Sequence, residues 1–85
     1  ATYRGTMPRI LIVEDEPDIA LGLEDDLRVE GYGLEVVHDG DTACRRGIEP
    51  HWDLILLDVM LPRKDGFEVC RTLRHRNVTT PIILL

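Results

Sequence analysis

Residues 10–18 read ILIVEDEPD, four aliphatic residues running straight into Glu14, Asp15, Glu16, Pro17 and Asp18. A short, continuously apolar run fits a strand covered on both faces, as in a parallel sheet. Pro17 suits the first turn of a helix, where the N–H it lacks would have no intrahelical partner. The stretch therefore reads as a buried strand, an acidic turn at its C-terminal end, and the start of a helix.

Working outward, Arg9 to Val13 is the first strand and Pro17 to Glu30 the first helix. Ile19, Leu23 and Leu27 form its apolar stripe, and Gly31 and Gly33 end it. Leu34 to Val37 is a second strand. His38 to Asp41 is a turn in which Asp39 or Asp41 caps a weak helix running to about Gly47. Asp53 to Leu57 is a third strand, and Leu61 to Gly66 a loop. Phe67 to Arg76 is a helix with Phe67, Cys70 and Leu73 at helical spacing. Asn77 to Thr80 turn the chain, and Pro81 introduces a fourth strand, Ile82 to Leu85. This strict alternation predicts right-handed crossovers and an α/β fold, a doubly wound parallel sheet.

The 85 residues allow one small domain with a thin core, and the net charge of −6 argues against direct contact with nucleic acid. No apolar run approaches the ~20 residues of a membrane span, and ATYRGT lacks the apolar core of a signal peptide. Residues 1–7 read as a tag remnant or unordered leader, and residues 8–85 as the domain. Cys44 and Cys70 lie in no metal-binding pattern and read as small packing residues in a reducing, cytoplasmic setting.

In an open parallel sheet, ligands bind beyond the carboxyl ends of the strands. Two strands here end in acid: Val13 is followed by Glu14 and Asp15, and Leu57 by Asp58. If those strands are neighbours, their carboxylates converge at one rim and need a cation or a proton between them. Oxygen donors without thiolate or imidazole suit a hard ion such as Mg2+.

Taken together, Ile10-Leu11-Ile12-Val13-Glu14-Asp15-Glu16, Asp53-Leu54-Ile55-Leu56-Leu57-Asp58-Val59-Met60-Leu61-Pro62, Asp65-Gly66 and Thr80-Pro81-Ile82-Ile83-Leu84-Leu85 resemble the receiver domain of two-component response regulators. The resemblance implies the flavodoxin-like receiver fold, without its last strand and last two helices. It implies that Asp58 is the phosphoacceptor, a carboxylate nucleophile taking a phosphoryl group from a sensor histidine kinase. It implies Mg2+ held by Asp15, Asp58 and the Met60 backbone carbonyl, with Glu14 acting through water. Pro62 and Gly66 would shape the loop, glycine fitting a backbone position hard for other residues. The family's Ser or Thr and Lys switch positions fall past Leu85 and are absent from this chain. The molecule so implied is a signalling switch rather than a turnover enzyme, and a DNA-binding output domain often accompanies receivers of this type.

Two rival readings stand beside this one. A haloacid-dehalogenase-like phosphatase also uses a strand-end Asp and Mg2+, but needs a second Asp where Met60 stands. A degenerate or truncated receiver would act only as a protein-interaction module. With strand Ile82 to Leu85 as a bare edge, and the surface around Ile10, Ile12, Leu54 and Leu56 open, the fragment is expected to seek cover as a homodimer or strand-swapped oligomer. Blander roles suit other residues: Glu16 and Asp18 at a helix N-terminus, Arg71, Arg74, His75 and Arg76 at a helix C-terminus, and Trp52 in packing. His38 and His51 have no evident partner.

Overall fold

The four apolar runs all become strands of one parallel sheet. The computed structural model describes residues 7–85, so all but Met7 of the leader expected at residues 1–7 lies outside the described residues. The elements are β1 (Arg9–Val13), α1 (Pro17–Val29), β2 (Gly33–Val37), α2 (Gly40–Gly47), β3 (Leu54–Leu57), α3 (Gly66–His75) and β4 (Ile82–Leu84). The strand order is β2-β1-β3-β4. Val13 pairs in register with Val37 on one side and Leu57 on the other, so three strands end level.

The pleat of β1 divides its side chains between two cores. Leu11 and Val13 join Ile55, Leu57, Val69 and Leu73 under α2 and α3. Ile10 and Ile12 join Leu56 on the other face, under Leu23 and Leu27 of α1. Leu11, Ile12 and Val13 are wholly buried, as a strand covered on both faces should be. The packing role read for Trp52 holds: its ring is buried, its Nε1 donates to the Arg46 carbonyl at 2.8 Å, and Arg9 stacks over it.

Three expectations are corrected. Ile19 lies half exposed and Ala20 takes its place in the buried stripe, because a strict four-residue repeat drifts off a helix of 3.6 residues per turn. Phe67 is also half exposed, and Val69 is buried in its stead. Finally, Ile10, Ile12 and Leu56 are buried beside α1, while the exposed apolar surface gathers on Ile83, Leu84 and Leu85. Alpha-1 and its flanking residue Tyr32 are enough to cover β1 and β3, but not β4.

Candidate metal centre at the sheet rim

The hydrogen-bond ladder carries the acids to the rim. The Glu14 N–H donates to the Val37 carbonyl at 3.0 Å, and the Asp58 N–H donates to the Val13 carbonyl at 3.0 Å. Each acid is therefore held by the strand next to it as well as by its own. Glu14, Asp15 and Asp58 each offer a carboxylate oxygen, and these oxygens lie within 4.8 Å of one another. The neighbouring-strand condition for convergence is met.

The three acids differ in setting. Glu14 is only 4% exposed, Asp58 is half-buried and Asp15 faces solvent. Burial pushes the Glu14 carboxyl above its ordinary range; the Asp58 and Asp15 carboxylates add to the rise, and the Glu16 N–H, donating to Glu14 Oε2 at 3.2 Å, opposes it. Unit charges about 4.8 Å apart repel by about 3.5 kcal/mol at an effective dielectric near 20. None of the ion pairs among the described residues involves these acids. Three crowded oxygen donors without a basic partner fit a hard divalent cation.

The loop after β3 supports Asp58. The Met60 N–H donates to Asp58 Oδ1 at 3.1 Å, which fixes the carboxylate's orientation. The Met60 side chain is largely exposed, so only its backbone is tied to the site. Pro62 is exposed, and its carbonyl accepts from the Lys64 N–H at 2.7 Å. Gly66 is needed for space rather than for an unusual dihedral. A Cβ there would stand 2.6 Å from the Asp58 carbonyl oxygen and 2.8 Å from the Val59 Cα.

Some contacts had no signal in the sequence. His38, following β2, places Nδ1 3.0 Å from the Glu14 carbonyl oxygen. Of the remaining acids, Glu16 is the N-cap of α1 without a side-chain capping bond, and Asp18 lies in its first turn. The basic end of α3 works past the helix: Arg74 Nη1 donates to the carbonyls of Val78 and Thr80 at 2.8 and 2.9 Å. No helix among the described residues is long and apolar enough to cross a membrane.

Comparison with known proteins meets this geometry. Residues 10–85 match the response regulator receiver domain family. The response regulator ArlR of Staphylococcus saprophyticus is 44% identical over 79 residues, covering 93% of this chain and 36% of the relative. The chain thus spans about a third of the length of the curated relatives it matches. Among solved structures, the receiver domain of the sensor histidine kinase PA1611 of Pseudomonas aeruginosa, with magnesium in its active-site cleft, superposes with a TM-score of 0.88 at 36% identity, covering 93% of this chain and 66% of that one. The response regulator TrrA of Thermotoga maritima, solved with Mg(2+)-BeF, gives a TM-score of 0.86 at 36% identity, covering 92% of this chain and 68% of that one. TrrA in complex with the histidine kinase ThkA gives 0.84, covering 92% of this chain and 67% of that one. With its strand order, its acidic rim and its match over residues 10–85, the chain belongs to the response regulator receiver domain family.

Proposed function

We propose that Asp58 accepts a phosphoryl group from a sensor histidine kinase, in a reaction that depends on Mg2+ held at this rim. The observation that carries the reading is the meeting of Glu14, Asp15 and Asp58 within 4.8 Å at the ends of two paired strands. Magnesium in the PA1611 receiver and the TrrA–ThkA complex support the cofactor and the class of partner. Asp15, Asp58 and the Met60 carbonyl would hold the ion directly, and Glu14 through water.

The residues divide the work. When bound, the ion offsets charge on the carboxylates and on the incoming phosphoryl oxygens. An Asp58 carboxylate oxygen forms the new O–P bond as the N–P bond of the phosphohistidine breaks, and the departing imidazole nitrogen takes up a proton. The Met60 N–H holds Asp58 by Oδ1 in a fixed orientation. The switch would act in the cytoplasm and report to an output elsewhere in the protein, of which this chain matches about a third in its relatives.

The exposed edge and apolar side chains of β4 support self-association of the 85-residue chain through that strand. The cation reading is tested by titrating Mg2+ while following amide shifts around Asp58. The parent should bind, and an Asp15→Asn, Asp58→Asn double variant should not. Equal binding by both proteins would refute it.

A further inference from the structure

We infer that Gly40, at the start of α2, is a positioning residue for the metal site, because it seats the β3–α3 loop that carries Met60. The inference rests on the proposed cation reading for its consequence but not for its geometry. A Cβ at Gly40 would stand 2.7 Å from the Lys64 Cβ and 3.2 Å from the Lys64 carbonyl carbon, and closer still to the Lys64 carbonyl oxygen. Two of those three atoms are backbone, so no side-chain rotation relieves the overlap. Gly22 in α1 offers the contrast, with nothing within 4 Å of its added Cβ.

The loop has no slack to absorb the displacement. Lys64 Nζ lies 3.8 Å from Asp41 Oδ1 and 4.0 Å from Cys44 Sγ, so the side chain is laid along α2. Arg63 is held at φ 69°, a left-handed conformation costly for a residue with a Cβ, within the tight turn closed by the Lys64 N–H on the Pro62 carbonyl. The far end is closed by the Gly66 N–H on the Val59 carbonyl at 2.9 Å. The platform beneath is itself fixed. Asp39 caps α2 by accepting from the Thr42 N–H at 2.8 Å and from Thr42 Oγ1 at 3.0 Å. A push at Gly40 is therefore passed to the segment between Asp58 and Gly66, where the Met60 N–H orients the acceptor carboxylate.

The test compares Gly40→Ala and Gly22→Ala in the intact protein by two readouts. One is Mg2+ affinity. The other, taken without metal, is amide exchange at Lys64 and Gly66. Gly40→Ala should weaken Mg2+ binding roughly 10-fold to 100-fold, the cost typical of removing outer support from a metal site. It should also speed exchange at the two loop amides, while the Trp52 Nε1–H resonance, reporting the far end of α2, stays in place. Gly22→Ala should change neither. Unchanged affinity and unchanged exchange in Gly40→Ala would overturn the inference. If that variant loses the Trp52 resonance, Lys64→Ala decides. It removes the tether without crowding Gly40, so faster loop exchange supports the seat and parental exchange overturns it. A parent that binds no Mg2+ refutes the cation reading alone, because the exchange measurement still judges the seat.

Discussion

Replacing Asp58 by Asn should stabilise the metal-free protein while abolishing its chemistry. The change removes one charge from a crowded group and keeps an oxygen able to accept the Met60 N–H. Fully ionised Glu14 and Asp58, whose carboxylate oxygens lie within 4.8 Å, would repel by about 3.5 kcal/mol or more at an effective dielectric near 20. Asp58 is only half-buried and Asp15 faces solvent, so water screens much of this repulsion. A net gain of about 1–2 kcal/mol remains, which for a domain of this size raises Tm by about 4–16 °C. The sign follows from linkage. A carboxyl with a raised folded pKa binds more protons folded than unfolded, so stability falls as pH rises from its ordinary 4.5 through the folded value. The advantage of Asp58→Asn should thus be full above the raised folded value of Glu14 and fade as pH drops toward 4.5. Saturating Mg2+ should reverse it, since the parent alone then gains a ligand. Thermal unfolding followed by Trp52 fluorescence, in chelator and in Mg2+, measures all three. A lower Tm for Asp58→Asn in chelator, or a gain that persists at low pH, would refute the reasoning.

Other expectations follow from the packing and the charges. Arg46 holds the Glu35 carboxyl below its ordinary range through hydrogen bonds of 2.5 and 2.7 Å, so this pair contributes stability above pH 4.5 that is lost as pH falls through the folded value. Glu35→Gln should then cost about 1 kcal/mol at pH 7, discounted for partial exposure, and nothing in acid; urea unfolding at both pH values checks it. Leu73→Ala empties a wholly buried site beside Gly47 and should cost about 3–4 kcal/mol in the same assay. The 85-residue chain should sediment as a dimer or larger at micromolar concentration, with an added charge at Ile83 restoring the monomer; a monomeric parent would count against pairing through β4.

How much of this was legible in the sequence depends on how local each signal is. ILIV followed by EDEP places β1, the acidic turn and the proline-started helix within nine residues, and all three stand where the pattern puts them. The choice between Asp39 and Asp41 as cap was open because both precede the helix. Asp39 takes it, since its side chain reaches the Thr42 N–H, while Asp41 turns to Lys64. Phe67 was misplaced because the roll of α3 is set by a long-range fit, Gly66 pressed against the backbone of Asp58 and Val59. The deeper burial of Glu14 relative to Asp15 comes from its place in the ladder beside β2, which neighbouring residues in the chain do not encode. Gly40 against Lys64 joins residues far apart in sequence, and the turn motif around Gly40 carries no mark of it.

The central claim, that Asp58 is the acceptor at a Mg2+-dependent site, is tested most directly by mapping the phosphoryl group. The full-length protein is incubated with a small acyl-phosphate donor, with and without Mg2+, and the modified residue is located by mass spectrometry after reductive trapping of the acyl phosphate. One group on Asp58, dependent on Mg2+ and missing from Asp58→Asn, is the result expected. A label on another residue, or equal labelling of Asp58→Asn, would contradict the account.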